Sequence, residues 1–172
     1  RMLRRYTREQ YLGVVAELRA AMPAITFSTD IIVGFPGETE AQFEETLSLV
    51  EAAGFDDAYT FRYSVRDGTP AVRLKDHVPE EVAAERLERL IALVRRQARQ
   101  RHLSRVGQTV EVLVERPARR GEMMLGRTRT NLMVLLDLPP GAVGEYHQVQ
   151  LTGTTGSTFT GTVVRPQLAV LG

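Results

Sequence analysis

The sequence predicts two folded parts in one chain: an α/β unit, then a small OB-like antiparallel β-barrel. Three observations carry this. Residues 7–104 alternate helix-period and strand-period segments joined by short connections, the pattern of parallel βαβ architecture. From Gln108 the apolar period becomes two, in five short runs separated by Gly, Pro, Asn and Asp. Gly107 and the arginine-rich helix end before it mark the switch, which sets a boundary near Arg105 and divides the chain into residues 1–104 and 105–172.

Thr7 and Gln10 have capping-box spacing, and Tyr11, Leu12, Val14, Val15, Leu18 and Met22 follow helical spacing up to Pro23. This reads as a helix packed on a sheet. Residues 25–33 are short, β-branched and apolar on both faces, as expected of a strand covered on both sides in a parallel sheet. Gly34-Phe-Pro-Gly37 ends it. Thr39 and Gln42 repeat the capping-box spacing, Phe43, Thr46, Leu47, Val50 and Ala53 mark the buried stripe of a second helix, and Gly54 closes it. Residues 57–63 read as the next strand, completing a right-handed βαβ unit. Pro79-Glu-Glu opens a long helix with its acids at the positive end of the dipole and the stripe Ala83, Leu87, Leu90, Ile91, Val94 and Ala98. The barrel strands are expected at 110–114, 123–125, 132–136, 149–151 and 159–163.

Composition narrows the chemistry. With 43% hydrophobic and 25% charged residues the 172-residue chain can bury a core. Its formal charge of +1 hides a block between Arg95 and Arg129, where ten arginines face three glutamates. Such a block either meets phosphates or forms a solvated face. No apolar run approaches the length of a membrane helix, so no membrane partner is expected and the location reads as cytoplasmic. The chain has no cysteine, which excludes disulfides, thiol chemistry and a cysteine-held iron–sulfur cluster within these residues. Its start at Arg1 rather than methionine reads as a piece of a longer protein.

In a parallel α/β sheet the ligand site lies beyond the carboxyl ends of the strands, where residues 34–38 and 63–69 fall. Gly34 and Gly37 would let a ligand approach bare backbone, or would simply make a tight turn. The segment lacks the Lys-Ser/Thr of a phosphate-cradling loop. Arg66 and Asp67 either bind a ligand or pair with each other. His77, His102 and His147 are scattered, with no metal-ligand spacing, and read as surface or packing residues. Ser64 and Ser157 lack an acid–base constellation, which disfavours a hydrolase. In Gly126-Arg-Thr-Arg-Thr-Asn131, a period of two would set Arg127 and Arg129 on one strand face, suited to successive phosphates, with Thr128 and Thr130 on the other. Asn131 would read a base edge or cap a turn.

Taken together, TDIIVGFPGETEAQFEETL, FRYSVRDGTPA, the helix opening VPEEV and the barrel segment GRTRTN closely resemble the radical S-adenosylmethionine tRNA methylthiotransferases of the MiaB type. Met2, Arg4, Tyr6 and Thr7 also fit that family's start of a helix. The resemblance implies a partial radical SAM (βα) barrel followed by a TRAM domain. It implies a whole protein that converts isopentenylated adenosine beside a tRNA anticodon into its 2-methylthio derivative. One S-adenosylmethionine would serve as radical source and another as methyl donor. Two iron–sulfur clusters belong to such a protein, and their cysteine ligands are not in this sequence, so the fragment alone is expected to be inactive. By motif position, Asp30, Ile32 and Gly34 correspond to the S-adenosylmethionine-contacting strand, and Tyr63 and Arg66 to the strand end near its adenine. Glu38 falls one residue later than the superfamily's glutamate, and Val65 and Asp67 replace two family prolines. Arg127, Arg129 and Asn131 are the implied RNA contacts, with a tRNA anticodon stem-loop as partner. Two alternatives stand beside this reading: the related methylthiotransferase of a ribosomal-protein aspartate, and a non-catalytic RNA-binding adaptor. The edge of the strand at 25–33 is also expected to invite pairing with a second copy.

Overall fold

The computed structural model describes residues 2, 4–119 and 122–164, so Arg1, Arg120 and residues 165–172 of the expected second domain lie outside it. Contacts divide the chain after Ala98 into two compact units. Among the described residues no helix is long and apolar enough to cross a membrane.

In the first unit, helix α1 (Arg8–Ala21) starts on the expected box: Thr7 Oγ1 accepts from Gln10 N, and Gln10 Oε1 accepts from Thr7 N at 2.9 Å. Strand β1 (Ser28–Val33), helix α2 (Glu40–Ala53) and strand β2 (Asp57–Arg62) follow. Thr39 and Gln42 cap α2 in the same reciprocal way, and Gly54 ends it at φ 57°, a left-handed conformation that glycine adopts without a Cβ penalty. The two strands are parallel, with Asp30 opposite Tyr59 and Ile32 opposite Phe61. Helix α3 (Glu80–Leu103) completes the set.

One face of this sheet is closed by the helices. Val33, Phe43, Val50, Ala53, Phe55, Leu90, Leu93 and Val94 form a buried cluster, joined by Tyr11, Leu12, Ile31 and Ala58. The other face is open, which corrects the expectation of a strand covered on both sides. Ile32 is 40% exposed, Tyr59 60% and Phe61 50%, because among the described residues no layer packs on them. The strand is also shorter than expected and begins at Ser28. Val14 in α1 and Met22 at its C-terminal cap are exposed, and Val15 is buried.

The second unit is a closed five-stranded barrel. Strands β3 (Thr109–Pro117), β4 (Met124–Thr128), β5 (Met133–Leu136), β6 (Tyr146–Thr154) and β7 (Thr158–Val163) pair in the spatial order β3-β4-β5-β7-β6, and β6 returns to β3. A 3-10 turn at Pro140–Ala142 connects β5 to β6. The expected antiparallel barrel needs one correction: β5 and β7 run parallel, so alternation of apolar residues gave the strands but not their direction. Val112, Val114, Met124, Val134, Leu136, Val149, Leu151 and Phe159 fill the interior. The contact boundary precedes Arg105 because the last turn of α3 joins this core: His102 is buried, its Nδ1 lies 2.7 Å from the Gly156 carbonyl, and its ring packs on Phe159.

Gly126 is one place where the barrel tolerates no side chain. A Cβ there would sit 2.5 Å from Val112 Cγ1 and 2.8 Å from the Leu113 carbonyl oxygen, and the backbone atom cannot move aside. Gly126→Ala is therefore expected to destabilise the barrel by about 1–3 kcal/mol, the usual cost of overpacking, read as a lower urea midpoint. An unchanged midpoint would mean that the interior is looser than described.

Candidate functional site

The carboxyl end of β1 is built around a buried cation. Gly34 turns at φ 73°, and a Cβ on it would come within 2.7 Å of Ala83 Cβ on α3, so close helix–strand packing alone demands glycine here. Its N–H is donated to Glu38 Oε2 at 2.7 Å. Arg86 of α3, whose side chain is 5% exposed, donates through Nη1 to both Glu38 Oε2 (3.0 Å) and the Glu38 carbonyl (2.9 Å), and through Nε to Glu40 Oε2 (3.2 Å). Arg89 joins from the next turn, pairing with Glu40 at 2.6 Å and with Glu44. Both guanidinium groups lie over the buried Phe43 ring, at 5.6 and 4.9 Å, where the ring face attracts cations. Arg89 holds the Glu40 carboxyl below the ordinary carboxylate range, and Arg86 adds to that.

This network gives Glu38 a structural role that motif comparison left open. It also means that the Gly34 N–H is already engaged. What the strand end offers outward lies on the open sheet face, where Asp30 and Ile32 stand beside Tyr59 and Phe61. Tyr63 continues the pairing past β2, donating its N–H to the Val33 carbonyl at 2.8 Å. Its ring meets Phe35 edge-on at 5.2 Å, and its buried hydroxyl has no hydrogen-bond partner among the described residues. Arg66 is exposed in a turn closed by Thr69, whose N–H and hydroxyl both donate to the Arg66 carbonyl. Arg66 and Asp67 form no ion pair with each other. The structure thus gathers Asp30, Ile32, Gly34 and Tyr63 at adjoining strand ends, with Arg66 on the loop that follows.

In the barrel, β4 ends at Thr128, so Arg129 lies in the turn and not on the strand as expected. The turn is a three-residue connection: Asn131 N donates to the Thr128 carbonyl, and Asn131 takes φ 66°, the left-handed position that asparagine tolerates. Arg127 donates through Nε to Glu115 (2.9 Å) and through Nη1 to Asn131 Oδ1 (2.6 Å), and Arg129 donates through Nε to Glu111 (2.7 Å). Both arginines are therefore held by glutamates of β3. Thr128 is buried and accepts from Leu132 N, while its hydroxyl lies 3.1 Å from that of Thr130.

Sequence reasoning missed Arg86, although a signal existed. Ala83, Arg86, Leu90 and Leu93 share one helical stripe, and a charged residue inside an apolar stripe calls for a buried partner. His102, near the end of the same helix, carries the same signal. The partners, Glu38 and Glu40, sit 48 and 46 residues away, so spacing could not name them.

Removing one member of a buried pair strands the other, at about 3–5 kcal/mol. Arg86→Ala is expected to destabilise the first unit by that order, whereas Arg62→Ala, which breaks an exposed pair with Glu80, should cost under about 1 kcal/mol. Urea unfolding of both variants tests the contrast. Because Glu40 is held low when folded, its contribution is present above the ordinary carboxylate pKa and fades as the pH falls through the folded value. Glu40→Gln should flatten that acid limb, and an unaltered limb would remove Glu40 as its source.

Comparison with known proteins agrees with this architecture. A family model described as TRAM domain matches residues 103–164. The chain is 47% identical over 171 residues to the tRNA-2-methylthio-N(6)-dimethylallyladenosine synthase of Oceanobacillus iheyensis, covering 99% of this chain and 33% of that protein. The synthases of the same name from Bacillus cereus and Geobacillus thermodenitrificans are 45% and 46% identical over 170 residues, 98% of this chain and about a third of each. The chain spans about one third of the length of the curated relatives it matches. Along nearly its whole length, then, the chain is similar to about one third of the length of the tRNA-2-methylthio-N(6)-dimethylallyladenosine synthases, and a TRAM domain lies within its second unit.

Proposed function

We propose that this chain is part of a tRNA methylthiotransferase. In that reading residues 1–104 are the C-terminal part of a radical SAM barrel, and residues 105–172 present RNA to it. The observation that carries the reading is identity of 45–47% to synthases of one name, over alignments that span both units. The whole protein would add a methylthio group to isopentenylated adenosine next to the anticodon, in the cytoplasm.

The open face beyond β1 and β2 suits S-adenosylmethionine. Asp30 supplies an exposed carboxylate to accept from hydroxyl or amino groups, Ile32 an apolar surface, and Arg66 an exposed guanidinium for a carboxylate. Gly34 and Tyr63 would contribute position, since the Gly34 N–H is held by Glu38. The radical chemistry would be supplied by iron–sulfur clusters. The residues present do not fit a cluster, because ligation needs thiolates and the sequence has none, so that chemistry belongs to the rest of the protein. By itself the chain should be inactive. The open edges of the β1–β2 pair would also allow a second copy to pair with it.

Arg127, Arg129 and Asn131 are the proposed RNA contacts, at one hairpin of the barrel. The charge distribution supports this. Residues 1–98 carry 13 basic and 16 acidic side chains, while residues 99–172 carry nine arginines and five acids. An anionic partner is therefore drawn to the second unit.

The reconstituted full-length protein, given tRNA bearing the isopentenyl group, should yield 2-methylthio nucleoside by mass analysis. Methylthiolation of a ribosomal protein with tRNA left unmodified would instead favour the aspartate-modifying relative. For the RNA contacts, Arg127→Ala with Arg129→Ala should reduce the slope of log affinity against log salt for anticodon-stem RNA by about 0.7–0.9 per lost phosphate contact. A slope left unchanged would remove both arginines from the interface.

A further inference from the structure

We infer that the outer surface of the barrel carries a stacking site for an unpaired RNA base, with Tyr146 as its platform. The inference rests on the RNA-binding reading above and says where on the barrel single-stranded RNA lies. Tyr146 opens β6 and is 64% exposed, more than any other large apolar side chain described. Its ring has no aromatic neighbour and its hydroxyl no hydrogen bond among the described residues.

Its position is what connects it to the arginines. The strand register sets Tyr146 opposite Leu113, Leu113 opposite Arg127, and Arg127 opposite Met133. These four residues form one row across β6, β3, β4 and β5. The row faces outward, because the flanking Val112, Val114, Gly126, Thr128 and Val134 are buried. With strands spaced ~4.8 Å apart, Tyr146 and Arg127 stand about 10 Å from each other across the surface. Arg129 lies at the hairpin beyond Arg127.

Both guanidinium groups are poised for a second partner. Each donates through Nε to a glutamate, which leaves Nη2 of Arg127 and both terminal nitrogens of Arg129 without a partner among the described residues. Anchoring in advance removes part of the ordering cost that a free arginine would meet on binding. An exposed ring beside fixed cations on a net-positive unit matches the requirements of single-stranded RNA, whose bases stack on aromatic rings while arginines hold the backbone. A duplex keeps its bases stacked on one another and offers no free face to Tyr146. The occupant is accordingly an unpaired nucleotide.

The test uses the intact protein and a fluorescently labelled anticodon stem-loop, with the same stem closed into a continuous duplex as comparison. Tyr146→Ala should weaken loop binding by roughly 5- to 100-fold and leave its salt slope unchanged. Tyr146→Phe should restore it, and duplex binding should be indifferent to both. Because Tyr146 is exposed, thermal unfolding should not separate these variants. If Tyr146→Ala binds the loop normally while Arg127→Ala with Arg129→Ala binds it weakly, the stacking site is overturned and the RNA reading stands. If the unaltered protein shows no salt-dependent affinity for either RNA, both fall.

Discussion

The first unit depends on one buried guanidinium. Arg86 reaches from α3 to the Glu38 carboxylate and carbonyl and to Glu40, and Glu38 in turn holds the Gly34 N–H. Burying a charge is costly unless hydrogen bonds and opposite charge replace its water. Here two carboxylates, a carbonyl and the Phe43 ring do so. The effect is to join the end of β1, the start of α2 and the middle of α3 at one point.

What that point supports is a sheet with one finished face. Ile31 and Val33 pack against the helices, while Asp30 and Ile32 alternate to the other side. Ile32, Tyr59 and Phe61 then leave apolar and aromatic surface in contact with water, which a stable monomer rarely maintains without use. The chain corresponds to about a third of its relatives, and in the proposed reading this surface faces S-adenosylmethionine in the whole enzyme. The barrel has the opposite character. It closes on itself and buries apolar residues inside, with Arg116, Arg119 and Arg129 exposed, and in the proposed reading its outer side chains meet RNA.

Local signals in the sequence were reliable where the physics is local. Both capping boxes, the Gly54 stop, the βαβ order and all five barrel strands follow from residues within a few positions of one another. Features that depend on distant partners were less legible. The buried role of Arg86 needed Glu38 and Glu40. The open face of β1 could not be read because an apolar strand looks the same whether or not a second layer covers it. The parallel β5–β7 pairing escaped because a period of two has no direction. Arg129 seemed to continue β4, but Asn131 at φ 66° shows that the chain has already turned. Tyr146 carried no local signal at all, since its interest comes from the register that places it in line with Arg127.

The most direct test of the proposed assignment is amide hydrogen exchange of the intact full-length protein with and without S-adenosylmethionine. Slower exchange is expected at residues 30–34 and 63–66 on addition of the ligand, with the barrel strands from Thr109 to Val163 unchanged. Protection appearing elsewhere, with these two strand ends exchanging as before, would contradict it.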